Sequence, residues 1–323
     1  ESIRVNGNDS NDSTASIDTT VQEKNITFPT DSKLHRKIID KCRNIAEKEN
    51  LPVRQSYTRT LKKLSLDQRF RNHPRNKWKA RKADRKEKTI AGRLVRELER
   101  NLSPDSRYQS DIDLFKRILN QKKSDKNKIY SVHEPDVQCI SKGKEHKKYE
   151  FGNEVSIIYN QTTGVIVGAL GFRNPYDGHT MEPALEQTQR LLGKRTLKTL
   201  IGDRGYKGKR QINDTTIEIP KPFNNRKQSQ YQQNKLKKQF RKRAAIEPIN
   251  GHLKTDHRLN RNFYKGITGD NINVMLAAAA FNFKRMMNKW KSSFWLEFKI
   301  QIVDLIKAVF YQINNNLIRK WAF

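Results

Sequence analysis

The spacing of apolar residues along the chain changes at about residue 125 from a helical pattern to a strand-like one. From Lys33 to about Lys123 the pattern is helical and very basic, and Pro74 interrupts it, so at least two helices are predicted. Pro104 ends a later helical segment. After this block come three runs rich in β-branched and aromatic residues, separated by Gly, Lys and Asn turns. They predict an antiparallel meander over 128–140, 149–159 and 163–172.

Further segments on both sides complete an α/β pattern. A strand is predicted over Ile17–Phe28, and after the meander the pattern predicts a helix over Met181–Leu192 and strands over Leu197–Ile201 and Ile217–Pro220. Strands and helices in this order form a mixed sheet flanked by helices, which a large basic helical insertion interrupts after the first strand. We therefore expect four regions: the first strand of the core (1–30), the insertion (31–125), the remainder of the core (126–290) and a C-terminal helix (291–323).

The charge of the chain points to a polyanionic partner. The sequence has 66 Lys and Arg residues against 34 acidic ones, a formal net charge of +32. Nucleic acid fits such a charge best, and an anionic membrane surface is the competing partner. Charged residues interrupt the apolar stretch Phe294–Phe310, so an amphipathic helix is expected there and no membrane span. The two cysteines, Cys42 and Cys139, have no metal-type spacing.

Two acidic residues stand where a metal-dependent site would need them. Asp203 follows a short apolar run and precedes a glycine turn, at a sheet edge where ligands bind in α/β folds, although a turn cap explains it equally well. Glu247 precedes Pro248, which places the start of a helix near Glu247. Lys254 then shares a helix face with Glu247, whereas the alignment of Arg243 stays open. A salt-bridged helix start is the alternative for Glu247.

A third acidic residue has two candidates in the sequence. Asp18 stands at the start of the first predicted strand, and Asp136 stands on the strand predicted over 128–140. From the residues alone, either carboxylate fits a central strand beside Asp203.

Several blocks resemble the DDE transposases of bacterial insertion sequences, specifically the IS-five family. The resemblance extends from Asp18 to about Met287 and includes DTTVQEKNITFPTDSKL, GDRGYKG and AAIEPINGHLKTDHRLNRN. It implies an RNase H-like core whose catalytic and metal-binding carboxylates are Asp18, Asp203 and Glu247. It favours Asp18 as the first carboxylate, since DTTVQEK matches the first motif of the family and HEPDVQC matches a later block, and Asp136 remains the alternative from the residues alone. The family's signature around the third carboxylate has an arginine and a lysine that correspond to Arg243 and Lys254, and Phe240 stands where a tyrosine is usual.

The resemblance also implies a reaction and its partners. Two Mg²⁺ or Mn²⁺ ions would support DNA strand cleavage and transfer, acting on double-stranded transposon ends and target DNA. We expect a homodimer in the bacterial cytoplasm, associated with the nucleoid and not with a membrane. Phosphate contacts are expected from Arg243, Lys254, Arg258 and Arg261, and DNA contact from the basic segment 59–88. The alternatives are an inactive or truncated remnant that only binds DNA, and a basic RNA-associated protein.

Overall fold

The computed structural model describes most of the chain, in two compact units. The first unit comprises Glu1–Thr20, Val155–Asn260 and Asn271–Phe323, and the second comprises Val21–Glu154 and Arg261–Asp270. The described residues are 3, 13–141, 147–173, 177–193, 196–206, 208, 210–220 and 229–320.

A mixed sheet forms the centre of the first unit. Its strands are β1 (Thr14–Glu23), β3 (Glu150–Asn160), β4 (Ile166–Phe172), β5 (Thr199–Ile201), β6 (Gln211–Ile212) and β7 (Thr215–Glu218), of which β1 and β3 continue into the second unit. The order is β3-β1-β5-β7-β6, and β4 also pairs with β3. β1 and β5 are parallel, as are β5 and β7, whereas β6 and β7 are antiparallel. The predicted mixed α/β sheet is confirmed.

Helices cover both faces of this sheet because the strands alternate in the side chains that they bury. Ala15, Ile17 and Ile158 face helix α5 (Asp177–Leu192), where they pack with Ala184 and Leu185. On the opposite face the odd-numbered residues of β3 pack against α7 (Ile246–Thr255) and α8 (Gly266–Lys320), as Val155, Ile157, Tyr159, Ile249, Leu253 and Val274 show. Helix α6 (Gln230–Arg243) precedes α7. Helices on two faces of a mixed sheet are consistent with an RNase H-like fold.

Four helices of the second unit share one hydrophobic core. They are α1 (Asp31–Lys48), α2 (Thr58–Asp67), α3 (Lys77–Asn101) and α4 (Gln109–Asn120). Ile38, Ile90 and Phe115 are fully buried in this core. Pro74 lies between α2 and α3 and Pro104 between α3 and α4, so both prolines separate helices as the sequence predicts.

A buried ion network ties the strand ends of the second unit to residues 261–270. Lys24 Nζ lies 2.5 Å from Asp270 and 3.3 Å from Glu134, and it donates to the Tyr264 carbonyl at 2.8 Å. Asn153 also donates to Asp270. Burial raises the pKa of Asp270, while the ammonium of Lys24 acts in the opposite direction. Strand β2 (Gln138–Ile140) pairs antiparallel with the start of β3, as the predicted meander requires.

Several predicted boundaries are wrong. β1 begins at Thr14 and ends at Glu23, whereas the sequence predicts a strand over Ile17–Phe28. Of the strand predicted over 128–140, only the three residues of β2 are extended, because the residues before it form bends and a turn. Within the described part of the chain, we find no helix with the length and apolar character that crossing a bilayer requires.

Candidate active site

Parallel pairing of β1 with β5 brings two aspartates side by side in the first unit. Thr14, Ala15 and Ser16 pair with Thr199, Leu200 and Ile201. Asp18 and Asp203 each stand two positions beyond the last pair, so the strand periodicity of two places both on one face. Asp203 follows β5 as predicted, but Asp18 lies within β1 and not at the start of that strand. This face is the one that α7 covers, since Leu200 and Ile17 belong to the core on the other side.

Arg243 contacts both aspartates with one nitrogen. Its Nη2 lies 3.4 Å from Asp18 Oδ1 and 3.5 Å from Asp203 Oδ2. Arg243 is the last residue of α6, and that helix end is held by the buried Tyr159, whose hydroxyl donates to the Lys242 carbonyl at 2.5 Å. Burial raises the pKa of Tyr159, whereas its hydrogen bond with Ser16 and the charge of Arg243 act against that shift. Tyr159 on β3 thus holds the end of α6, and with it the position of the Arg243 guanidinium.

Asn250 is a third residue at Asp18, and the sequence did not single it out. Its Nδ2 donates to Asp18 Oδ2 at 3.1 Å, and its Oδ1 is buried with no hydrogen-bond partner among the described residues. A polar side chain beside the buried Ile249, one helical turn after Glu247, is the signal that would have indicated it.

Asp203 uses its two oxygens for different purposes. The backbone N–H of Gly205 donates to Oδ1 at 2.8 Å, so Asp203 does cap the following turn. Its other oxygen, Oδ2, faces Arg243. Asp203 can therefore cap the turn and belong to the site at the same time. The cap fixes the carboxylate through one oxygen, and the other oxygen is directed at the guanidinium of Arg243.

Glu247 stands in the first turn of α7, which begins at Ile246 as Pro248 predicts. Its side chain is exposed. Along the chain it lies between Arg243 and Asn250, both of which contact Asp18. The structure therefore gathers Asp18 and Asp203 at one guanidinium and places Glu247 on the adjacent helix start.

The remaining predicted residues divide between the two units. Lys254 is half-buried on α7, and Arg258 is exposed beyond it with a φ of +57°, both in the first unit. Arg261 belongs to the second unit, where its Nε donates to Asn25 Oδ1 at 2.8 Å. Asp136 also belongs to the second unit, and it is exposed in a turn just before β2, not on the strand that was predicted.

The donor set around Asp18 fits a divalent cation. No group of three or more His, Cys, Asp or Glu side chains in the described residues is arranged to hold a metal ion. Two carboxylates and the partnerless amide oxygen of Asn250 are nevertheless the hard oxygen ligands that Mg²⁺ prefers. The guanidinium of Arg243 lies where a cation would neutralise both carboxylates. A metal ion fits these residues if Arg243 moves away.

An α/β fold with acidic side chains converging at one edge of a sheet is typical of enzymes that act on phosphate groups with metal ions. The sequence profile described as "Transposase DDE domain" matches residues 121–283, half of the chain. The chain belongs to this transposase DDE domain family. The matched region contains Asp203 and Glu247, whereas Asp18 precedes it.

A curated relative and the solved structures add little to this assignment. An uncharacterized protein, ORF8 in the nfe locus of Rhizobium meliloti, is 42% identical over 59 residues. That stretch is 18% of this chain and 28% of the relative, so the chain matches little more than a quarter of that protein's length. No solved structure matches the chain.

Proposed function

We propose that the chain is a transposase that cleaves DNA at the ends of an insertion sequence and joins the freed strand to target DNA. Membership of the transposase DDE domain family supports transposition in general. The IS-five resemblance of the blocks around Asp18, Asp203 and Glu247 supports the finer assignment. DNA as the substrate would place the protein in the bacterial cytoplasm, at the nucleoid.

One observation carries this proposal: a single guanidinium contacts Asp18 and Asp203, which are far apart in the chain. Two carboxylates that approach one point repel each other unless a cation lies between them. A fold that needed only stability gains little from such a pair near its surface. A site that binds a divalent cation, in contrast, requires carboxylates that approach one point.

Asp18, Asp203 and the Oδ1 of Asn250 would hold one metal ion, and Glu247 would supply a ligand to a second. Bound there, divalent ions would supply stabilisation of the charge that develops on phosphodiester oxygens and would activate water or a 3′-hydroxyl. The Nδ2 of Asn250 keeps one oxygen of Asp18 in place, and Gly205 does so for Asp203. These two contacts hold the carboxylates in one orientation.

The cations around the site would bind the DNA backbone. Arg243, released from the aspartates, would contact phosphate together with Lys254 and Arg258 of the same unit. Arg261 is proposed as a separate phosphate contact in the second unit. The helices α1–α4 follow β1 as a basic insertion and would bind further DNA, and a homodimer would hold two transposon ends.

The test is a nicking assay on labelled transposon-end DNA with Mg²⁺ or Mn²⁺. Asp203→Asn and Asp18→Asn are expected to lower the nicking rate at least about 100-fold, because each removes a charged metal ligand. Asp214→Asn, an exposed aspartate in the turn between β6 and β7, is the matched control and should nick like the wild type. Thermal unfolding of each variant separates lost chemistry from lost folding.

The outcomes distinguish the candidate first carboxylates. If Asp136→Asn abolishes nicking and Asp18→Asn does not, the assignment of Asp18 is wrong. Equal nicking by the wild type and Asp203→Asn would exclude the catalytic site altogether.

A second candidate function is DNA binding without cleavage. The exposed side chain of Glu247 favours it. Such a protein would bind DNA in a salt-dependent manner and show no metal-dependent nicking in the same assay.

A further inference from the structure

Three large apolar side chains are exposed where α2 turns into α3, in the second unit. Leu66 near the end of α2 is 57% exposed, Phe70 in the turn is 79% exposed, and Trp78 at the start of α3 is 59% exposed. We call Leu66, Phe70 and Trp78 the aromatic tip. All three lie in or directly beside the connection between two helices, and exposed large apolar side chains near one another mark a contact site more often than scattered single ones do.

The backbone holds Phe70 in a conformation that favours glycine. Its φ is +50°, in the left-handed region, where a bulky side chain is strained. The residues on either side are anchored: Gln68 Nε2 donates to Asp84 at 2.9 Å and to Glu87 at 2.8 Å, and Arg71 Nη2 donates to Asp84 at 2.8 Å. The turn is therefore firmly held to α3 while its aromatic ring is directed to solvent. Residues in strained conformations are concentrated at ligand-binding and active sites.

The charge around the tip selects the kind of partner. Arg71 is paired with Asp84, and Glu87 is fully buried against Arg36, so these acidic groups are engaged within the unit. The exposed cations next to the tip in the chain are Arg69, Arg75, Lys77, Lys79, Arg81 and Lys82. Aromatic rings set among cations match a nucleic acid, whose phosphates pair with the cations while its bases stack on the rings.

We propose that Phe70 and Trp78 stack on unpaired or unstacked bases of DNA while the neighbouring cations bind its phosphates. The segment 59–88 would then contact bases as well as the backbone. The proposal rests on the proposed function only in taking DNA as the ligand. It requires no metal and no cleavage.

The experiment measures binding of the full chain to labelled DNA by fluorescence anisotropy, in EDTA and over a series of salt concentrations. The probe is a duplex with a single-stranded end that carries 2-aminopurine. Phe70→Ala and Trp78→Ala are expected to weaken binding about 5- to 100-fold at every salt concentration and to reduce the change in 2-aminopurine emission. The slope of log K against log salt should stay unchanged, because no phosphate contact is lost.

Two control variants distinguish base stacking from the loss of any exposed ring and from the loss of a phosphate contact. Phe263→Ala removes another exposed aromatic ring of the same unit, 68% exposed, and should bind like the wild type. Arg81→Gln, an exposed cation on α3, should reduce the salt slope by about 1 and leave the 2-aminopurine signal intact.

Three results would overturn the proposal. In the first, Phe70→Ala and Trp78→Ala bind DNA as tightly as Phe263→Ala does. In the second, they alter the salt slope as Arg81→Gln does. In the third, they leave DNA binding intact and abolish binding to vesicles of phosphatidylserine and phosphatidylcholine, which would assign the tip to an anionic membrane. Weakened binding by the tip variants in a protein that does not nick DNA would refute the proposed catalysis and leave the stacking site in place. A wild type that binds no DNA refutes both.

Discussion

Replacing Arg243 by methionine is expected to raise the affinity of the site for Mn²⁺ up to about tenfold. Both aspartates contact the same nitrogen of Arg243, at 3.4 and 3.5 Å. Two oxygens that share one divalent ion lie within about 2–2.6 Å of that ion, so the ion and the guanidinium compete for one position. A metal ion bound between the two aspartates, as we propose, would break both ion pairs, and a variant without the guanidinium would avoid that loss.

The size of the effect follows from the exposure of the three side chains. Arg243 is 23% exposed and Asp18 is 19% exposed, whereas Asp203 is 40% exposed. Ion pairs that water reaches contribute about 0.2–1 kcal/mol each, and the Asp203 pair belongs at the lower end because solvent screens it. The two pairs together contribute about 1.2 kcal/mol at most, which corresponds to a factor of just under ten in a dissociation constant.

The assay is a titration of the full chain with Mn²⁺, followed by calorimetry or by the electron paramagnetic resonance of the free ion. Arg241→Met is the matched control, because Arg241 is an exposed residue of the same helix and its replacement changes the net charge equally. This control should change Mn²⁺ affinity much less than Arg243→Met does. Weaker or unchanged binding by Arg243→Met would show that the ion does not bind between the two aspartates.

Three further predictions concern folding, and urea denaturation checks each of them. Lys24→Met should lower the free energy of unfolding by about 3–5 kcal/mol, since it leaves buried carboxylates without their cation, and adding Asp270→Asn should recover part of that loss. Burial lowers the pKa of His35, so its folded-state contribution is present above the unfolded pKa of about 6.5 and is lost as the pH falls through the lower folded value. Stability should therefore decline below about pH 6.5 less steeply in His35→Gln than in the wild type, and parallel pH profiles would contradict this. Gly152→Ala should destabilise by more than about 3 kcal/mol, because the added Cβ would overlap a backbone carbonyl of β1, whereas Gly92→Ala in α3 meets only the end of a flexible arginine and should be neutral or slightly stabilising.

Local chemistry made part of the candidate site predictable. A glycine turn after a short apolar run located Asp203 at the end of β5, and Pro248 located the start of α7 beside Glu247. Proline and glycine restrict the backbone at their own positions, so these signals can be identified in a few residues. The boundaries of β1 were less predictable, since a strand ends where its pairing ends and the partner strands are distant in sequence.

The contacts between the elements could not be predicted in the same way. That Asp18 adjoins Asp203 depends on the parallel register of β1 and β5, and a shift of one residue would turn Asp18 to the other face of the sheet. The contact of Asn250 with Asp18 depends on the packing of α7 over β1, which the sequence of α7 does not specify. The register is set by the whole buried face of the sheet, so it cannot be predicted from any single residue of either strand.

The proposed site residues are held by two kinds of element. Asp18 and Asp203 are positioned by strands of the sheet, and Glu247 is held by the start of a helix. Asp18 lies on β1 and Asp203 follows β5, and the pairing of these two strands fixes where both aspartates stand. Glu247 is carried by the first turn of α7, directly after the break between α6 and α7. A helix start is held by fewer hydrogen bonds than a central strand, since its first N–H groups have no partner within the helix. On the proposed function, Glu247 would join the aspartates as a metal ligand, and Arg243 would leave them from the end of α6 in the same short segment.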